Sequence, residues 1–175
     1  MDKELWQKCV AFHGHECGGL TIGFKAATYA AKLLDLTFSH DEGLVCIAEN
    51  DACGIDAIQV LLGCTVGKGN LLFHITGKQA FSFYDRLTKR AVRLVLKPRP
   101  EGMTREEAFP YYQQLPMEEM FEVKPVKLPL PSHARLFRNV VCEACGEDTA
   151  EAHIRVENGK QLCLDCAAKY NRFDV

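Results

Sequence analysis

Gln79-Ala80-Phe81-Ser82-Phe83-Tyr84 alternates large aromatic side chains with small ones, and this period of two decides the fold class. Only an extended strand puts Phe81 and Phe83 on one face and Ala80 and Ser82 on the other. Leu71 to Ile75 before it and Lys89 to Leu96 after it have strand length, with Thr76-Gly77-Lys78 and Asp85-Arg86-Leu87-Thr88 as turns between them. The spacing predicts three consecutive antiparallel strands with one dry face. His74 then falls inside a strand and reads as a satisfied sheet residue before a ligand.

Working outward, Gly43 to Ala48 is a short apolar run of strand length. A polar loop, Glu49-Asn50-Asp51-Ala52-Cys53-Gly54, follows it and leads into a helical stretch from Ile55 to Leu62. Upstream, Leu20 to Leu34 carries Phe24, Ala27, Ala31 and Leu34 along one side, and Asp2 to Phe12 repeats Leu5, Trp6, Cys9 and Val10 at helical spacing. Two long helices over a sheet make an α+β fold, with a mixed or antiparallel sheet covered by helices.

Beyond the strands, Lys97-Pro98-Arg99-Pro100-Glu101-Gly102 breaks the pattern. Thr104 with Glu107 forms a capping-box signature, so a helix is expected from Arg105 to Pro110 or slightly past it. A short helical piece over Met117 to Phe121 and an extended run from Glu122 to Leu128 follow. Pro125, Pro129 and Pro131 stiffen the chain next, which divides it into a core over 1–128, a linker over 129–139 and a C-terminal unit over 140–175.

The chain has 175 residues and a net charge of −2, enough length for a real core and no field that gathers phosphate backbones or anionic lipids. Nucleic acid is therefore not an expected partner. No apolar run has membrane-spanning length, and Met1-Asp2-Lys3-Glu4-Leu5-Trp6 lacks the character of a signal peptide, so the expected location is the cytoplasm. Nine cysteines in a reducing compartment point to metal ligands or reactive thiols more than to disulfides.

Phe12-His13-Gly14-His15-Glu16-Cys17-Gly18-Gly19 puts two imidazoles, a carboxylate and a thiol within five residues, bracketed by glycine. Sulfur and imidazole suit a borderline-soft ion such as zinc, iron, cobalt or nickel, and three protein ligands would leave one coordination position open. The spacing leaves a second reading open, in which Cys17 is a small buried residue and the histidines bond to the backbone. The next helix starts just after Cys17, so its N-terminal N–H groups would favour a thiolate there. Cys53 and Asp51 occupy a similar strand-to-helix junction, and Asp56 shares a helix face with Gln59. Gly63-Cys64-Thr65-Val66-Gly67-Lys68-Gly69-Asn70 misses the P-loop spacing; it is either an anion nest using Lys68 or a plain turn.

Cys142-Glu143-Ala144-Cys145 and Cys163-Leu164-Asp165-Cys166 are two Cys-x-x-Cys pairs at the separation of a four-thiolate Zn2+ site. Between them Ala152 to Val156 and Lys160 to Cys163 flank Glu157-Asn158-Gly159, a hairpin turn, and Ala167 to Tyr170 reads as a helix. Knuckle, hairpin and helix resemble a treble-clef zinc finger, which with so small a core should need metal to fold.

The segments Phe12-His13-Gly14-His15-Glu16-Cys17-Gly18-Gly19-Leu20-Thr21-Ile22-Gly23, Cys53-Gly54-Ile55-Asp56-Ala57-Ile58-Gln59 and Gly63 to Asn70 together resemble the FmdE family of formylmethanofuran dehydrogenase proteins. The resemblance covers roughly the first hundred residues, and a C-terminal zinc finger is similar to one that some members carry. It implies an α+β core whose motifs converge on one pocket, a homodimer, and association with a molybdenum- or tungsten-dependent formylmethanofuran dehydrogenase or a cofactor-handling partner. It also leaves room for a molybdopterin-type cofactor. Carried onto this sequence, it implies His13, His15, Cys17 and Cys53 as ligands of a second transition metal in the core. Cys64, Gln59 and Lys68 become cofactor-orienting groups, and Cys17, Glu16, Asp56 and Lys68 are the candidates for catalysis. The functions in competition are a metal-binding accessory protein, a metal-dependent enzyme acting on a small substrate, and an adaptor that uses the finger for protein contact.

Overall fold

The computed structural model describes residues 1–131 and 135–169, and the chain forms two compact units, 1–134 and 135–175. Helix α1 (Lys3–His13) starts where the Asp2 carboxylate accepts the N–H groups of Glu4 and Leu5, and it buries Trp6 and Cys9. It stops at Gly14, whose φ of 95° carries the backbone out of the helix directly after His13. Helix α2 (Gly18–Leu34) follows, then strand β1 (Leu44–Ala48), helix α3 (Gly54–Leu62) and strands β2 (Leu71–Phe73), β3 (Ala80–Asp85) and β4 (Ala91–Leu96). Helices α4 (Arg105–Gln114) and α5 (Met117–Met120) and strand β5 (Phe121–Lys124) complete the core elements. None of the described helices is long and apolar enough to cross a membrane.

The sheet runs β2-β1-β3-β4-β5 and is mixed, which corrects the expected hairpin between the first two of three consecutive strands. β2 pairs parallel to β1, Cys46 opposite Leu71, and β1 stands between β2 and β3. The reason is β1 itself: all five of its residues are buried, so it needs a ladder on both sides, and α3 supplies the crossover to a parallel neighbour. Thr76-Gly77-Lys78 is consequently not a tight turn. It crosses the end of β1, where Thr76 and Gly77 donate to Glu49 O. The strand ends at Phe73, so His74 lies outside the sheet with an exposed side chain. The β3–β4 hairpin is as expected, with Phe83 opposite Val92.

Phe81 and Phe83 lie on the face that packs against α2 and α3, among Ala26, Ala30, Ile58 and Leu62. The opposite face is dry as well, contrary to the one-sided expectation. Val45, Ile47 and Tyr84 are covered there by Val126, Leu128 and Leu130, and the Tyr84 hydroxyl donates to Leu128 O at 2.7 Å. Arg93, next to Ser82 across the strands, forms a buried pair of hydrogen bonds to the Glu49 carboxylate at 2.5 and 2.9 Å. α4 is opened by the reciprocal Thr104/Glu107 box and continues through Pro110 to Gln114, held on by buried Ala108 and Tyr112. The buried Lys25 ammonium donates to Gln113 O and Leu115 O, tying α2 to the far end of α4.

In the second unit, β6 (Asn139–Val141) pairs with β7 (Asp148–Ala150), and β8 (Ile154–Glu157) with β9 (Lys160–Cys163). Asn158 and Gly159, at φ 50° and 82°, make the expected turn between the latter two. The helix expected after Cys166 is not formed over 167–169, and Tyr170 lies outside the described residues.

Candidate metal centre

The core site is made by a backbone-to-backbone crossing of α2 and α3. A Cβ at Gly23 would stand 1.9 Å from Gly54 O and 2.3 Å from Gly54 Cα, so glycine is required for the helices to lie this close. One at Gly19 would stand 3.0 Å from Cys53 Cβ. Cys17 caps α2 and Cys53 precedes α3, so the crossing that brings the two helices together also brings the two thiols together. The C-terminal end of α1 presses His13 onto the same place.

The result is a trio: one donor atom each from His13, Cys17 and Cys53, all within 4.8 Å of one another. Cys17 Sγ lies 3.7 Å from His13 Nε2 and accepts the Leu20 N–H at 3.3 Å. His13 Nδ1 donates to Asp56 Oδ2 at 2.7 Å, and Gln59 Nε2 donates to Asp56 Oδ1 at 3.3 Å. That bond fixes the tautomer and leaves Nε2 free beside the sulfurs. Burial, aided by Cys17 close by, holds the Cys53 thiol above its ordinary value. A tetrahedral zinc with ordinary bond lengths has sulfur–nitrogen edges of about 3.6 Å and sulfur–sulfur edges of about 3.8 Å, so this donor set fits such an ion after a small contraction.

The other expected site residues fall elsewhere. His15 stands outside the trio, its exposed ring 4.6 Å from that of His13 between centroids. Cys64 lies beyond the opposite end of α3, roughly 13 Å along the axis from Cys53. It is buried and donates to Leu44 O, and burial pushes its thiol up to about 12. Lys68, in the same loop, donates to Ser39 O at 2.8 Å and sits 6.0 Å from the Phe38 ring centroid, so it serves as a tie from that loop to the α2–β1 connection. Cys9, raised to about 11, and Cys46, raised well above its ordinary value, are buried packing thiols like Cys64. Glu16 is held by the Trp6 indole N–H at 2.9 Å.

Cys17 and Cys53 open onto a cleft of about 860 Å³, which Glu16, Gly18, Gly19 and Ile22 also line. Its remaining wall comes from Gln79, from Leu96 to Arg99 and from Glu106, Ala108, Phe109 and Tyr112 on α4. The sequence reading missed this wall. Lys97-Pro98-Arg99 reads as a break between elements, and the only available signal was the Ala108/Tyr112 spacing of one helix face.

In the second unit, donor atoms of Cys142, Cys145, Cys163 and Cys166 lie within 4.8 Å of one another. Backbone N–H groups of Cys145, Cys163 and Ala144 bring the Cys142 thiol down to about 6, while hydrogen bonds from the neighbouring cysteines push Cys166 up to about 12. Four thiols in that space ionise together only around a cation.

An α+β core with a His/Cys/Cys trio at its helix ends, joined to a four-cysteine zinc finger, defines a two-module class of metal-binding protein. The family described as "FmdE, Molybdenum formylmethanofuran dehydrogenase operon" matches residues 12–125, and the "Prokaryotic dksA/traR C4-type zinc finger" matches residues 135–172. The chain belongs to the FmdE family. It is similar to the crystal structure of a tungsten formylmethanofuran dehydrogenase FmdE-like protein from Syntrophus aciditrophicus, with 27% identity and a TM-score of 0.71 over 93% of this chain and 90% of that one. It is also 29% identical, over 91% of its length, to a probable S-adenosyl-L-methionine-binding protein of Archaeoglobus fulgidus. The chain spans about half the length of that curated relative, 51%.

Proposed function

We propose that the core holds a transition-metal ion, zinc, nickel, iron or cobalt, on His13 Nε2, Cys17 Sγ and Cys53 Sγ. A coordination position would stay open toward the cleft, where a small molecule binds. The observation that carries this reading is the convergence of the three donors with the Asp56 carboxylate on the far nitrogen of His13. Such an ion supplies Lewis acidity at the inner wall of the cleft. The chain's own residues do the rest: Asp56 holds the imidazole, Gln59 holds Asp56, and Glu16, anchored by Trp6, is the carboxylate lining the cleft next to Cys17 in sequence. The names of the curated relative and of the family support a small-molecule ligand and a role beside a molybdenum- or tungsten-dependent enzyme, with a molybdopterin-type cofactor as the narrower form of that role. The family likeness further supports a homodimer, which light scattering tests; a cytoplasmic location belongs to the same reading and is tested by fractionation.

Elemental analysis of protein purified without added metal, on wild type and Cys17→Ser side by side, tests the site. Two metals per chain are expected in the wild type and one in the variant. A single zinc in both samples, lost in Cys142→Ser, would overturn the core metal and leave a thiol-lined pocket.

A further inference from the structure

We propose that the cleft beside the trio binds a small organic anion, with its flat or apolar body against Phe109 and Tyr112 and its acidic group at Lys97 and Arg99. This ligand class belongs to the same site as the metal and rests on that reading for whatever happens at Cys17 and Cys53, whereas the rim contacts stand without it.

Ile22, Leu96, Ala108, Phe109 and Tyr112 give the cleft an apolar lining, with Ala108 and Tyr112 themselves buried. A surface of that kind binds a flat hydrocarbon or aromatic body well and gives a fully hydrated sugar or peptide little to hold. Gly18 brings the α2 backbone against this wall, and a Cβ there would stand 3.7 Å from Tyr112 Cδ2. Lys97 and Arg99 are exposed at the mouth. Among the described residues neither forms an ion pair; Lys97 Nζ reaches only Glu118 O, at 3.4 Å. Burial raises the Tyr112 phenol, and the Arg99 guanidinium pulls it back down, so the cation lies within electrostatic reach of the aromatic wall. Two acidic groups also line the cleft. Glu16 accepts the Trp6 indole N–H beside Cys17 and keeps its charge there, and Glu106, in the first turn of α4, is the second carboxylate that opposes an anion. Two exposed cations without an ion-pair partner among the described residues, beside an aromatic wall, favour a ligand that is apolar along its length and negative at the end that meets Lys97 and Arg99.

The fluorescent probe anilinonaphthalene sulfonate has this chemistry, and N-phenylnaphthylamine is the same ring system without the sulfonate. On the metal-loaded 175-residue chain the sulfonate should bind saturably and more tightly than the neutral probe, and salt should weaken only the sulfonate. Lys97→Gln combined with Arg99→Gln should weaken the sulfonate by roughly tenfold and leave the neutral probe unchanged. Glu106→Gln should tighten the sulfonate. Equal affinity for the two probes, or wild-type sulfonate affinity in the double variant, overturns the anion site. Metal content measured on the same samples keeps the two ideas apart. A chain that holds only the finger zinc yet discriminates between the probes refutes the core metal and retains the anion site.

Discussion

Alanine at position 23 would put a methyl carbon 1.9 Å from Gly54 O, against the 3.4 Å at which ordinary contact begins. Relief by separation alone requires about 1.5 Å between α2 and α3, because both neighbours are backbone and neither can rotate away. Overpacking of this kind costs about 1–3 kcal/mol, a fall in Tm of roughly 3–12 °C for a unit of this size. The larger effect should be on the site. Metal centres tolerate about 0.2 Å in their ligand distances, and Cys53 moves with α3 while Cys17 moves with α2, so the core metal should be lost even where the fold survives. Calorimetry and metal content on Gly23→Ala are the assay. Gly67→Ala is the control, since nothing lies within 4 Å of a Cβ added there. A Gly23→Ala protein with wild-type Tm and wild-type core metal would refute the helix crossing as the device that builds the site.

Asp56→Asn should leave the fold intact and weaken the core metal by about 10–100-fold, read by cobalt titration, because the carboxylate orients His13 from its far nitrogen. Cys64→Ala should keep the core metal, and its loss would return Cys64 to the site. Glu49→Gln should cost the core about 3–5 kcal/mol in chemical denaturation, since it leaves buried Arg93 without its carboxylate. Hydrogen bonds from Arg93 hold the Glu49 carboxyl below its ordinary value, so the pair's contribution is fully present above the unfolded value of about 4.3 and is lost as pH falls through the lower folded value. The acid limb of a Tm-against-pH curve should therefore be shallower in Glu49→Gln, and an unchanged limb would exclude the pair as its source.

What was legible in the chain was local. Period-two alternation at 79–84, the Thr104 cap, the Asn158-Gly159 turn and the two Cys-x-x-Cys pairs are all signals within a few residues, and each formed as read. The His13–Cys17 half of the core trio belongs with them, because Gly14 ends one helix and Cys17 begins the next. Strand order was not legible: whether β2 joins β3 or β1 depends on which neighbour satisfies a buried strand, and that is a pairing across the whole core. The choice of His13 over His15 depends on Asp56, 43 residues away, and the exclusion of Cys64 depends on the length of α3. Sequence by itself determined the kinds of donor side chain and the two modules. The Gly23–Gly54 crossing decided which donors meet, because only packed backbones set distances between residues that are remote in the chain.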